Sequence, residues 1–442
     1  MKKLSIFQIG LIGVFLLFSI IGTLIFSGIL PGFRSAPGGA AGELVIWGAV
    51  PASVMQPIIE QSNKDYQNYF TLTYVEKVSS SFEREFVEAL ADRQAPDLLI
   101  LPQELALSQT SRLAVFPEET LTIRQYQDTF IDAGSFFITD RGPVALPLLL
   151  DPLVLYYNRS ILNEAGLAIV PKTWTDFREA TRLNVPNPLT LLDERHNITR
   201  SAVALGETVN IPHSEDILAL LLLQTGNQII APSGGGWRSE LNGQLGYTVR
   251  PAVAALDLYT QFSNSSNLNY AWNRSLPAAR TAFTRGQSAF YFGFASEYQG
   301  IRRESPHLAF DVALVPQRQL DEGPRLTLTR ILAIAVVNGG DKTAAALSAA
   351  AALTAPQVVD TLSGRLFLPP ARRDLLAERS VDPIMDVLKA SAFIGKAWFD
   401  PHPLASKQIF DGMVESVTTG RLRSSEAVAE ADRELAAALA KL

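Results

Sequence analysis

The chain has 442 residues, with 38 Lys+Arg against 44 Asp+Glu and no cysteine. That length allows two or three domains, and the mildly negative balance leaves no basic footprint for nucleic acid. Without cysteine there can be no disulfide, Cys-ligated zinc, thiol nucleophile or lipid-modified cysteine anchor.

From Leu4 to Phe33 there is no charged residue, whereas Lys2 and Lys3 precede the run and Arg34 follows it. An apolar stretch of about 20 residues spans a bilayer. The positive-inside rule then puts the N-terminus in the cytoplasm and the body outside. A cleavable signal peptide is the rival reading, with Gly38-Gly39-Ala40-Ala41 as its cleavage site, although its apolar core should run only about 7–15 residues. Residues 1–33 are therefore expected to be a transmembrane anchor or signal segment. Residues 34–42, rich in Gly, Ala, Pro and Ser, read as a flexible tether.

The body begins with a buried strand at 44–47, stopped by Gly48. A helix at 57–66 and an alternating strand at 70–75 follow. Ser80 and Glu83 have capping-box spacing ahead of Phe82, Phe86, Ala89 and Leu90 on one helical face. Residues 97–101 are another buried strand. Strands alternating with helices predict an α/β sheet with parallel strands. Two apolar strands at 144–150 and 153–157 flank Asp151-Pro152. Further on come helices at 215–225, 251–262 and 278–285, and strands at 288–292 and 310–315. The run 326–337 has room for a strand pair. Asp341 is expected to cap a helix at 342–353, and 425–441 is an amphipathic helix with Val428, Leu435 and Leu439 inward. Ser233–Gly236 and 321–324 read as surface turns.

Residues 145–177 carry the most information: two buried strands joined by one carboxylate and one proline, a short helix pattern, then Pro171-Lys172-Thr173-Trp174-Thr175-Asp176-Phe177. This stretch strongly resembles the first interlobe crossing of the family 1 extracellular solute-binding proteins, the maltodextrin-binding-protein-like receptors of ABC importers. Pro96-Asp97-Leu98-Leu99 resembles the family's strand ahead of the first ligand loop. Phe283-Thr284-Arg285-Gly286-Gln287-Ser288-Ala289-Phe290 resembles its Phe-x-x-Gly-Lys/Gln-x-Ala-Met element. The order and spacing of these pieces extend the resemblance over everything after the tether. It implies an α/β, two-lobe periplasmic-binding-protein-like (type II) fold with a hinge of three crossings, near 149–153, 315–326 and 364–370. One lobe would comprise 43–150 and 317–364, the other 151–316 and 365–442.

The implied function is that of an extracellular receptor, not an enzyme and without a cofactor or metal. It would bind a small molecule, a carbohydrate by family resemblance, and deliver it to the transmembrane subunits of an ABC permease. It would work as a monomer at the outer face of the cytoplasmic membrane, held by the N-terminal helix and not as a lipoprotein. The alternatives from the residues are an exported polysaccharide hydrolase or lyase, or a ligand sensor of the same fold.

None of His196, His213, His307 and His402 is four residues from another, no Gly-x-Ser-x-Gly elbow occurs, and Gly234-Gly235-Gly236 lacks the Lys-Ser/Thr of a phosphate loop. The histidines read as surface or cap residues. Carboxylates are numerous, but nothing singles out a glycosidase pair. A sugar receptor needs aromatic walls and a few placed polar groups, beyond the carboxyl ends of strands. The candidates are Trp47 at the tip of the first strand, Gln103 and Glu104 after the third, and Asp151 at the crossing. Phe294 and Tyr298 follow the strand at 288–292, Trp398 and Asp400 lie late in the second lobe, and Trp237 stands beside a glycine turn. Trp47 has strand-tip packing and Glu104 helix capping as its alternative role. Leu101 and Leu105 stand where a maltodextrin-type relative has an aromatic and an Asp-Arg pair. Trp174 and Trp272 read as core. Tyr156-Tyr157 resembles the paired tyrosines of ferric-ion receptors, yet adjacent strand residues face opposite sides.

Overall fold

The computed structural model describes residues 42–234, 236–318, 325–398, 400 and 403–440. The expected anchor, most of the tether, the turn at 321–324 and His402 lie outside them. Among the described residues no single helix is long and apolar enough to cross a membrane. One bent helix pair passes that test by composition, but Ala346, Ala349, Leu353, Val359 and Leu362 bury its apolar side in the body.

The first strands are β1 (Gly42–Gly48), β2 (Phe70–Glu76) and β3 (Leu98–Pro102), mutually parallel with β1 in the middle. They are linked by α1 (Ala52–Asp65) and α2 (Phe82–Ala91). Helix α1 starts five residues earlier than expected and carries Pro57 inside it. Met55, Ile58, Ile59 and Ser62 bury one continuous face across the proline, so packing outweighs one lost backbone bond. No side-chain cap forms at α2. Ser81 is the N-cap residue, and its hydroxyl donates to Glu85 instead.

The pair of strands expected on either side of Asp151-Pro152 is one long strand, β4 (Ala145–Asn158). It is followed by β5 (Leu191–Leu192), β6 (Ile198–Val203), β7 (Ser288–Phe294) and β8 (Phe310–Ala313). The run 326–337 is likewise one strand, β9 (Thr327–Val336), not a pair. Pro152 removes a ladder donor, but its neighbours stay in register, with Thr329 opposite Pro152 and Arg330 opposite Asp151. The sheet order is β2-β1-β3-β9-β4-β7-β6-β5, with β8 on β4 and β10 (Gly395–Lys396) on β9. Thus β4 and β9, antiparallel neighbours, run together through the middle of the molecule.

The cores divide along these two strands. Leu98, Ile100, Leu146, Leu148, Ile334 and Val336 belong to one apolar cluster. Leu99, Leu101, Ala145, Leu150, Ala333 and Ala335 belong to another. Adjacent strand residues point to opposite faces, so this half of the sheet is covered on both sides, as parallel sheets usually are. Beyond Asp151, residues Leu153–Tyr156 join a third cluster with Phe177, Phe262, Trp272, Phe283 and Phe290. Trp174 and Trp272 are buried there, and their indole N–H groups donate to Gln224 and Asn210. Burying a side chain of this size contributes about 1.5–3 kcal/mol. The architecture is a mixed α/β fold of two lobes.

The other elements that matter below are α3 (Gln103–Ser108), α4 (Ser214–Gln224), α5 (Tyr298–Glu304), α6 (Thr343–Leu353), α7 (Pro356–Leu366) and α8 (Ser424–Leu439). Lys342, not Asp341, is the N-cap residue of α6. In α8, Val428, Leu435 and Leu439 are buried as their spacing predicts.

Candidate functional site

Asp151 is the only charged residue in β4, and Arg330 is the only one in β9. Their register sets them side by side. Leu150 and Ile331 belong to the first lobe's cluster, whereas Leu153 and Leu328 belong to the second. The two charges therefore mark the point where both strands leave one core and enter the other. A charge there avoids both apolar interiors.

Phe294 closes β7 in register with Leu153. The Arg330 guanidinium lies 3.8 Å from the centre of the Phe294 ring, a cation–π contact. The His213 ring meets the same phenyl edge-on at 5.1 Å. Just after the strand, the backbone N–H of Ser296 donates to Asp151 Oδ1 at 2.8 Å. Chain separation between these partners is large, so only the fold brings them together.

Helix α4 supplies the next layer. Its first turn holds Glu215 and Asp216, where the helix dipole favours acids. Arg330 Nη2 donates to both oxygens of Asp216, at 3.1 and 2.9 Å. His213 precedes the helix at its N-cap position but makes no cap bond. Its Nε2 lies 2.8 Å from Glu297 Oε1, and its Nδ1 lies 3.4 Å from Asp216 Oδ2. Glu297 also accepts from the Tyr291 hydroxyl at 2.7 Å and the Phe294 N–H at 2.9 Å. Arg280 Nε pairs with it at 3.2 Å.

These surroundings set the protonation states. Burial opposes a charge on His213, but hydrogen bonds to Asp216 and Glu297 outweigh it and raise the pKa to about 9. Burial likewise works against the Glu297 carboxylate, yet His213 and Tyr291 hold its pKa below the usual value. Asp151 keeps some surface open, while protein fills the space around its carboxyl. Burial raises its pKa to about 6 against the pull of Ser296 and Arg330. Glu215 is raised to about 8, first by burial and then by the charges of Asp400 and Asp216. Glu104 is also raised by burial, and Arg330, Asp400 and Asp216 are the charges that act on it. Glu104 stands in α3, directly after β3. Carboxylates from both lobes thus feel one another across the β4–β9 crossing.

Most of the candidates from sequence gather here. Asp151 and Phe294 both lie against Arg330. Gln103, 3% exposed with no partner for Oε1, begins α3 beside Glu104. Asp400 is buried, accepts from the Ser406 hydroxyl at 2.7 Å, and acts electrostatically on Glu104 and Glu215. Trp398, two residues before it, is buried instead in the second lobe's core, 6.2 Å from Phe410. Three others are placed elsewhere. Trp47 lies at the strand tip under the Lys77 ammonium, 3.6 Å from the ring centre, and Lys77 is bound to Glu85. Trp237 stands 38% exposed on the hairpin Ile230–Ser233/Gly236–Ser239, which packs on α8. Tyr298 is buried and stacks on Phe367 at 5.0 Å. Phe367 ends α7 at φ 55°, a left-handed conformation costly for a bulky residue. That stack joins α5 to the segment after α7.

Sequence reasoning missed Arg330, His213, Glu215 and Asp216. Arg330 had a readable signal, as the single charge in an apolar run. His213 had none, because its partners lie 84 residues away and beyond a helix turn. A cavity of about 380 Å³ opens at the far end of the first lobe's sheet, lined by Leu90, Arg93, Asp97, Asn338 and Thr343 among others. It lies at the opposite end of β3 from Gln103 and Glu104, away from the crossing.

The profile of the bacterial extracellular solute-binding protein family matches residues 58–388. No curated protein matches the sequence. Among solved structures, a cyclo/maltodextrin-binding protein complexed with maltotetraose is similar at 13% identity and a TM-score of 0.73, covering 90% of this chain and 97% of the other. The cyclic alpha-maltosyl-1,6-maltose binding protein from Arthrobacter globiformis is similar at 16% identity and 0.73, covering 91% and 100%. A protein solved with mannobiose bound is similar at 15% identity and 0.65, covering 89% and 99%. At these identities the likeness establishes the fold.

Proposed function

We propose that this chain, which belongs to the bacterial extracellular solute-binding protein family, is a carbohydrate receptor whose ligand lies between the lobes at the Asp151–Arg330 crossing. The observation that carries this reading is the Asp151–Arg330–Phe294 cluster, with Asp400 near enough to act electrostatically on both Glu104 and Glu215. Carboxylates and a guanidinium pair sugar hydroxyls, and an aromatic ring covers a flat C–H face. The structural neighbours solved with maltotetraose or mannobiose support the ligand class.

The finer reading assigns 43–150 with 317–364 to one lobe and 151–316 with 365–442 to the other, with Ala371, Leu375 and Leu376 reaching back into the first lobe's clusters. Ligand that binds the closed arrangement better draws the lobes together. The closed form then delivers its cargo to an ABC permease, and the apolar segment 1–33 tethers the body at the outer face of the cytoplasmic membrane. Asp151, Phe294, Gln103, Glu104 and Asp400 are the proposed contacts.

The test is a thermal-shift panel on the full-length protein in a non-glycosidic detergent, with maltotetraose, mannobiose and cyclic oligosaccharides, beside analysis of the same mixtures for products. A receptor gives saturable stabilisation with intact glycan. The raised carboxylates Asp151 and Glu215 also favour a second reading, since a polysaccharide hydrolase needs one protonated carboxyl facing another. Product formation would select that reading.

A further inference from the structure

We propose that the cleft takes a glycan bearing a protonated amine in preference to its neutral counterpart, and turns away acidic sugars; this rests on the receptor reading above. Four cations around the crossing are already held by carboxylates, whereas Lys396, in β10 beside Leu328, is exposed. Arg330 gives Nη2 to both oxygens of Asp216 and lays its face on Phe294. His213 sits between Glu297 and Asp216. Arg280 is divided between Glu297 and Glu304, at 3.2 and 2.9 Å. Lys407 is bound to Asp411 at 2.6 Å.

What remains is a set of carboxyl groups. Glu104 from the first lobe and Glu215 from the second both feel Asp400 and Asp216 as like charges. Only Arg330 opposes the first and Lys407 the second, and each is committed elsewhere. Asp151 receives the Ser296 N–H and shares Arg330.

Two acceptors here lack a hydrogen bond, and the one buried donor among the described residues that also lacks it, Arg280 Nε, is held as an ion pair 3.2 Å from Glu297. Glu215 Oε1 is buried without a donor, and so is Oε1 of Gln103, the neighbour of Glu104 at the start of α3. Both are acceptors. A sugar hydroxyl can give one donor to such an atom, but it leaves the Glu215 carboxyl, its pKa raised to about 8, protonated and neutral at pH 7. An ammonium gives up to three donors and the positive charge that lets this carboxyl ionise, and charge-assisted bonds are the stronger kind. An entering carboxylate or phosphate would instead add to the repulsion and find Arg330 occupied.

The experiment titrates the full-length protein at pH 7 with sugars matched in ring configuration. The sets are glucose, glucosamine and glucuronate, the same three forms of galactose and mannose, and cellobiose with its bis-glucosamine analogue. At least one amine-bearing member should bind about tenfold or more tightly than its neutral partner, and no acidic member should saturate. Glu215→Gln and Glu104→Gln should each shrink that amine-to-neutral ratio by about tenfold, whereas a purely structural role would move both affinities together. Neutral members that bind as tightly as their amine partners, an acidic sugar that binds saturably, or a ratio untouched by both variants would overturn the proposal and leave the receptor reading standing. A protein that responds to no member of any class would overturn both.

Discussion

The interior of each lobe and the crossing between the lobes are built on opposite principles. Inside the second lobe, Phe177 touches Trp174, Phe262, Phe290 and Phe292, with ring centres 5.1–6.3 Å apart, and none of these contacts needs a particular charge. At the crossing, Arg330, Asp216, His213 and Glu297 hold one another through charge-assisted bonds, packed against the Phe294 and Tyr291 rings. The first kind of region stabilises without specifying a ligand. The second gives up stability to desolvation, and in exchange presents charge and hydrogen-bonding capacity at one place. Asp151, His213 and Glu215 all depart there from their ordinary protonation.

The sharpest break of this comparison is Phe177→Ala. Removing a fully buried aromatic ring should cost about 3–5 kcal/mol, read by chemical denaturation. A loss below about 1 kcal/mol would mean that the second lobe is not held by this cluster.

At the crossing the expected sign is reversed. The pKa of Glu215 is raised to about 8 in the folded chain. Its protonated carboxyl therefore contributes stability fully at acid pH, and that contribution is lost as pH rises through about 8. Glu215→Gln should leave the protein about 1–3 kcal/mol more stable than wild type at pH 9, with the gap closing towards pH 4. A variant less stable than wild type at pH 9 would remove Glu215 from the set of uncompensated carboxylates.

His213 works in the same pH direction through the opposite charge. With its pKa raised from 6.5 to about 9, its stabilisation is complete below pH 6.5 and disappears as pH passes about 9. His213→Gln should cost about 1–2 kcal/mol at pH 6 and nothing at pH 10. A cost that does not change with pH would assign the residue to packing alone.

The smallest effect on binding is expected at Tyr298. Its ring is spent on Phe367, so Tyr298→Ala should lower the melting temperature while changing glycan affinity by about twofold at most. A tenfold loss of affinity would return Tyr298 to the cleft.

The parts legible in sequence were those governed by local pattern. The parallel order of β1, β2 and β3 followed from strand–helix alternation. The inward face of α8 followed from the spacing of Val428, Leu435 and Leu439. Asp151 was legible because a single carboxylate between two apolar runs needs an explanation. The continuity of β4 through Pro152 was not, because only its register with β9 keeps it extended. The partners of Arg330 were hidden for a similar reason: Asp216 lies 114 residues away. Tyr298 looked like a wall of the cleft because it follows β7, but the turn at Ala295–Glu297 directs it towards Phe367.

The central claim is that ligand is held at the strand crossing by Asp151, without covalent chemistry. Calorimetric titration of the tightest-binding glycan of the panel into wild type and Asp151→Asn, with both mixtures analysed for products, tests it most directly. A charge-assisted hydrogen bond contributes about 1.5–3 kcal/mol, so the variant should bind roughly ten- to a hundredfold more weakly. It should melt no lower than wild type, and all glycan should be recovered intact. Equal affinity in the two proteins, or conversion of the glycan, would contradict the account.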